Sequence, residues 1–266
     1  MTDLDALYVD PPAPGIDAAA AAVVLAFADD ELLAGQRHSE WLGLSPFLEE
    51  DLAYASIAQD ELGHARALYA LVWPDLDAHE RDAMVVRRRP DAFRSAWLCE
   101  LEPGAWERAL VRHLLYDVAE SLRWQHLESS SLPGLAGVAA KAQAEEHYHR
   151  RHAADLVVRL GQDADDARGR LQVCVDELWP LALSLFESTD DEVEAVAAGV
   201  LSGPVSDLVP AYRAAVEQVA TSAGLRLPDI DVPAASGARQ GVRHASFESA
   251  HAQMLTVFAY DPDARW

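Results

Sequence analysis

The chain has 266 residues, half of them hydrophobic, and its 44 acidic and 21 basic side chains give a formal net charge of −23. This is the composition of a globular protein with a sizeable core, and the acidic balance argues against nucleic acid and anionic membranes as partners, because both are bound through basic patches. The N-terminus carries acids where a signal peptide is positive, and no apolar run approaches about 20 residues, so we expect a cytoplasmic protein.

Helical periodicity dominates the chain and no segment alternates with period two, which predicts an all-α fold. Residues 1–15 are rich in proline and are expected to form a flexible arm, followed by a single helical domain over 16–266. Turns that contain proline and glycine separate four long helices, and a helical extension over about 163–266 follows them. The long helices are predicted over about 16–43, 46–73, 105–129 and 135–160.

Two short stretches carry the same Glu-x-x-His motif, which pairs Glu61 with His64 and Glu146 with His149. Residues three apart share a helix face, so each motif directs a carboxylate and an imidazole to one place. Ferritin-like bundles combine two such motifs with one acid from each of two other helices and bind two metal ions in the interior. One motif alone is weak evidence, but two in one chain favour a ferritin-like four-helix bundle.

The two further acids can be chosen by spacing. Glu31 lies 30 residues before Glu61, and Asp117 lies 29 residues before Glu146, which suits two antiparallel helices joined by a short connection. Glu120 shares a helix face with Asp117 and remains an alternative ligand or a neighbour of the ligands. The opposing interpretation is a chance grouping of solvated surface acids. Carboxylate-rich sites with two imidazoles suit iron or manganese better than zinc, so we predict two iron ions per chain, with manganese as the alternative.

The motif helices resemble those of the catalytic subunit of phenylacetyl-CoA epoxidase, in residues 58–65 (AQDELGHA) and 145–149 (EEHYH). Elsewhere the chain is similar to the smaller, ferritin-like structural subunit of the same complex, over residues 36–41, 49–53, 139–142 and 239–266. In that family the structural subunit has lost the metal ligands at the positions of Glu31, Glu61 and His64. This sequence has them all, so it resembles a structural-type subunit that carries the di-iron ligand set.

The resemblance implies a di-iron monooxygenase component that epoxidises or hydroxylates an aromatic or related acyl-CoA with O2. It implies two kinds of partner, namely a homologous ferritin-like subunit or a second copy of the chain, and a reductase as electron donor. A non-catalytic structural subunit and a ferritin- or rubrerythrin-like iron oxidase are the alternative functions. The predicted metal ligands are Glu31, Glu61, His64, Asp117, Glu120, Glu146 and His149.

Overall fold

A computed structural model describes residues 4–163, 165–230 and 236–261. Within these ranges the protein is all-α and has no extended strand, and a single isolated bridge pairs Val9 with Arg88. The prediction of an all-α ferritin-like bundle with additional C-terminal helices is therefore confirmed. The end of the last stretch of family likeness (239–266), namely residues 262–266, lies outside the described residues, as do residues 1–3 of the N-terminal arm.

Ten α-helices account for most of the described chain. In chain order they are α1 (Ala18–Ser39), α2 (Leu48–Val72), α3 (Ala78–Val86), α4 (Trp97–Glu100), α5 (Trp106–Leu127), α6 (Leu135–Asp163), α7 (Asp165–Ala182), α8 (Glu192–Ala197), α9 (Val209–Ser222) and α10 (Phe247–Tyr260). The four predicted bundle helices are α1, α2, α5 and α6, and their ends lie within a few residues of the predicted ones.

The bundle consists of two helix pairs that meet across a shared interior. Helix α1 packs on α2, α5 packs on α6, and α2 contacts α6 to join the pairs. Helix α1 begins where the Asp17 side chain accepts a hydrogen bond from the Ala19 N–H, at 2.9 Å, and so satisfies a free donor of the first turn. Helices α7 and α9 cover the outer face of the α5–α6 pair, which buries a second apolar layer there. None of the described helices is both long and apolar enough to cross a membrane.

Three residues of the N-terminal segment, for which a flexible arm is expected, make contacts with the rest of the fold. The Leu7 side chain is buried, and the Val9 N–H donates to the Arg87 carbonyl at 2.9 Å. Further along, the Gly15 N–H donates to the carbonyl of Val72 at 2.8 Å. The prolines that predicted a loose segment exclude helix, but they do not prevent an extended segment from packing on a helical surface.

Candidate metal centre

The seven predicted ligands all lie in the interior of the bundle. Glu31 comes from α1, the Glu61 and His64 motif from α2, Asp117 and Glu120 from α5, and the second motif from α6. None of the seven side chains is more than 2% exposed. Acids grouped by chance on the surface would be solvated. The buried positions of these side chains do not fit the interpretation as a chance grouping of surface acids. Their role as metal ligands stays a prediction.

Glu31 connects three of the four helices. Its Oε2 lies 2.9 Å from Nδ1 of His64 on α2, and the Tyr116 hydroxyl on α5 donates to its Oε1 at 2.8 Å. Glu120 lies close enough to Glu31 for the charge of Glu31 to contribute to raising the pKa of Glu120, after burial. The acid selected by its spacing from Glu61 therefore lies at the centre of the predicted cluster, and Glu120 reaches the same place.

An acid precedes the glutamate of each motif, and each of these two acids contacts the imidazole of the other motif. His64 Nε2 lies 2.7 Å from Glu145 Oε2, and His149 Nε2 lies 3.2 Å from Asp60 Oδ2. The inner nitrogen of His149, Nδ1, lies 3.1 Å from Glu146 Oε1. Carboxylates on the far nitrogen are the usual means of orienting imidazoles that bind metals. Sequence reasoning missed this role of Asp60 and Glu145, although an acid before each motif glutamate was a visible signal.

Two further histidines contact the predicted ligands. His38 Nδ1 lies 2.8 Å from Glu61 Oε2. His113 Nε2 lies 2.7 Å from Asp117 Oδ2, but the angles are wrong for a hydrogen bond, so both atoms are without a hydrogen-bond partner. Burial, aided by the nearby imidazole of His149, lowers the pKa of His113 to about 3. Burial likewise lowers the pKa of His38 well below its usual range, so both imidazoles are neutral at pH 7.

A buried chain of charges anchors Glu120 to the outer part of the fold. Arg123 donates to Glu120 Oε1 at 2.5 Å and to Asp30 Oδ2 at 2.7 Å. Arg239, from the segment before α10, donates to both oxygens of Asp30 at 2.9 Å. Burial opposes ionisation of Asp30, but the charges of Arg239 and Arg123 prevail and hold its pKa below the usual value. This network was not predicted, because it joins residues more than 200 positions apart.

The carboxylates of the centre strongly favour protonation when no cation is present. Burial, together with the charge of Glu146, raises the pKa of Glu31 to about 8. Burial also raises the pKa values of Glu61, Asp117 and Glu120 well above their usual range. Each of these acids would therefore retain a proton that a metal ion could replace.

Several carboxylate oxygens in the cluster have no hydrogen-bond partner. These buried oxygens are Oε1 of Glu61, both oxygens of Asp117, Oε2 of Glu120 and Oε2 of Glu146. Among the described residues, no three histidine, cysteine or acidic side chains are arranged so that they could bind one metal ion. The imidazoles of the two motifs contact carboxylates instead. Buried oxygens without partners are costly, and a divalent cation would satisfy them. The donor types and the unpaired oxygens therefore fit iron or manganese.

Four helices that direct carboxylates and imidazoles into one buried interior define the class of ferritin-like carboxylate bundles. Within this class the chain belongs to the phenylacetic acid catabolic protein family, whose sequence profile matches residues 10–266. It is 27% identical over 245 residues to one of the subunits of 1,2-phenylacetyl-CoA epoxidase from Escherichia coli (strain K12), an alignment that covers 92% of this chain and 98% of that protein. The predicted family resemblance is confirmed.

Proposed function

We propose that this chain is a di-iron oxygenase component that acts on an aromatic or related acyl-CoA. The observation that carries the proposal is the group of buried, unpaired carboxylate oxygens in the centre of the bundle. A buried oxygen that stays without a partner costs about 1–3 kcal/mol of folding free energy. The residues that would hold two iron ions, or manganese, are Glu31, Glu61, His64, Asp117 or Glu120, Glu146 and His149.

The side chains of the centre would prepare it for a metal in three ways. The acids with raised pKa values, such as Glu31, would release protons as cations bind. Asp60 and Glu145 would hold the far nitrogens of the two motif imidazoles and so fix their orientation. Burial of every predicted ligand would exclude bulk water from the reaction. Bound iron would supply the capacity to bind O2 and to exchange electrons with it.

The substrate class and the partners rest on the Escherichia coli relative, whose name is that of an epoxidase subunit acting on phenylacetyl-CoA. In the proposed reaction one oxygen atom of O2 enters the aromatic ring and the other leaves as water. The balance requires two electrons and two protons, and we assign the electrons to a reductase. Because the relative is one subunit of a larger enzyme, we also propose assembly with a homologous ferritin-like subunit, or with a second copy of this chain.

The proposed function is tested with ¹⁸O2. The iron-loaded protein, its homologous ferritin-like subunit and a reductase are incubated with phenylacetyl-CoA, and the product is analysed by mass spectrometry. We expect one labelled oxygen atom in the CoA ester, and its loss when Glu61 and Glu146 are both replaced by Ala in this chain. The matched control is Asp155→Ala, which removes an exposed acid from the same helix as Glu146. Iron oxidation without a labelled product, with ferric mineral accumulating, would instead indicate an iron oxidase.

A second candidate function is that of a non-catalytic structural subunit. One observation favours it: the donors already pair among themselves, as in the contacts of His64 with Glu31 and of His149 with Glu146, and no three of them form a metal cage in the described chain. In that case the complex would retain full activity after Glu61→Ala and Glu146→Ala in this chain. The same experiment therefore separates the two functions.

A further inference from the structure

A group of exposed apolar side chains surrounds the connection between α1 and α2. Twelve large hydrophobic side chains are exposed among the described residues, and five of them fall within residues 42–52. Globular proteins expose single apolar residues routinely, but a concentration of this kind marks an interaction site. We call these five residues the apolar patch, and their exposed fractions are Leu42 46%, Leu44 70%, Phe47 67%, Leu48 69% and Leu52 64%.

The apolar patch is a shaped surface, because its backbone is tied down by hydrogen bonds. The Asp51 side chain accepts hydrogen bonds from the N–H groups of Gly43 and Ser45, both at 3.1 Å, which holds the connection against the first turn of α2. Leu48 and Leu52 are one helical turn apart and share a face of α2. A partner binding here would meet a preformed surface and would pay little entropy to order it.

Aromatic side chains lead from the apolar patch to the candidate metal centre. Trp41 precedes the patch and packs edge-on against Trp106, with ring centroids 5.1 Å apart. Tyr54 lies 5.3 Å from Trp106 and 5.3 Å from His38, and His38 contacts Glu61. A series of side-chain contacts therefore connects Trp41, the residue before the patch, with the predicted ligand Glu61.

The charges around the apolar patch indicate what kind of partner fits. Residues 38–65 contain no lysine or arginine, whereas Glu49 and Asp51 stand within the patch. Beside the patch, Glu40 is paired with the buried Arg37 at 2.8 Å. Glu49 is exposed and the other two are half-buried. A symmetric dimer through this surface would bring the acids of two copies together, on chains that each carry a net charge of −23. A second copy is therefore disfavoured, and a basic rim on the partner is favoured.

We infer that the apolar patch is the docking surface for a different polypeptide, whose apolar contact residues are surrounded by arginine and lysine. This inference rests on the proposed function in one respect, which is that the chain works as a subunit of a complex. Exposed leucine and phenylalanine anchors supply the contact area, and the acidic rim selects the partner and increases its association rate.

The test uses the separately expressed homologous ferritin-like subunit of the same source as the probe. Its Kd for this chain is measured at low and high salt for the wild type and for the triple variant Leu44→Ser/Phe47→Ser/Leu48→Ser. All three positions are exposed, so the fold is expected to be retained, and circular dichroism checks this. We expect the triple variant to bind roughly 30-fold more weakly or worse, and wild-type binding to weaken as salt is raised. The matched control is Val173→Ser/Val193→Ser, which removes two exposed apolar side chains on α7 and α8 and should bind like the wild type.

Three outcomes would overturn the inference: equal affinity of the triple variant and the wild type, no binding of the wild type to the probe, or self-association of this chain that the triple variant abolishes. The last outcome would identify a second copy as the occupant. Iron content is measured in the same samples, because the triple variant should retain it. If the wild type lacks iron but the triple variant binds the probe more weakly than the wild type does, only the proposed function is contradicted. If the wild type holds iron but the triple variant binds the probe as tightly as the wild type does, only this inference is contradicted.

Discussion

Replacing Arg239 by Ala should strongly destabilise the fold, because it removes the main partner of a buried charge. Arg239 is 1% exposed, binds both oxygens of Asp30, and donates to the carbonyls of Arg94 at 2.7 Å and Leu185 at 3.0 Å. Its loss leaves Asp30 ionised with Arg123 as its only guanidinium partner in the described chain. Breaking a buried ion pair from one side costs about 3–5 kcal/mol. At roughly 2 °C per kcal/mol for a chain of this size, Tm should fall by about 6–10 °C.

The assay is thermal unfolding followed by circular dichroism, with Arg66→Ala as the matched control. Arg66 pairs with Asp82 at 3.3 Å, but its side chain is 60% exposed. An exposed pair of this kind contributes less than about 1 kcal/mol, so the control should unfold within about 2 °C of the wild type. If Arg239→Ala unfolds at the same temperature as Arg66→Ala, the network does not anchor the segment before α10 to α1.

The remaining predictions concern pH and packing. Burial raises the pKa of Glu100 to about 7, although Arg243 partly opposes this, so the native state holds a proton that the unfolded state has already released. The stabilisation from this bound proton is complete below about pH 4.5 and is lost as the pH rises to about 7. Glu100→Gln should therefore reduce the fall in unfolding free energy over this pH range by up to about 3 kcal/mol, measured by denaturant titration. Parallel plots of unfolding free energy against pH for the variant and the wild type would contradict this prediction. Gly161→Ala would place a Cβ 2.3 Å from the Ala223 carbonyl oxygen and should cost about 1–3 kcal/mol. Gly169→Ala meets no atom within 4 Å and should stabilise its helix by up to about 1 kcal/mol, so equal effects of the two glycine substitutions would refute the packing argument.

The parts of this protein that depend on local periodicity were predictable from its sequence. Two Glu-x-x-His motifs and two acids at matched intervals placed six donors on four helices, with Glu120 as an alternative, and the structure brings all seven residues into one buried region. Helix geometry makes this reasoning reliable, because residues three apart share a face and equal intervals bring antiparallel helices level. Spacing favoured Asp117 over Glu120, and the structure buries both in the centre.

The contacts that depend on tertiary packing were not predictable from spacing. Arg88 stands in a run of three arginines, yet it is buried and bonded to Asp29, which lies 59 residues earlier in the chain. Arg239 reaches Asp30 from the far end of the sequence. A single sequence contains no signal for partners that far apart, and a basic run has the same local appearance whether it is solvated or buried.

Metal content shows whether the buried acids and imidazoles hold iron. The protein is loaded anaerobically with ferrous iron, separated from free metal by gel filtration, and analysed by elemental mass spectrometry. We expect about two iron ions per chain, their loss in Glu61→Ala/Glu146→Ala with helix content retained, and wild-type content in the surface control Asp155→Ala. Iron content that is near zero in the wild type, or equal in the wild type and the double variant, would show that these residues do not form an iron site.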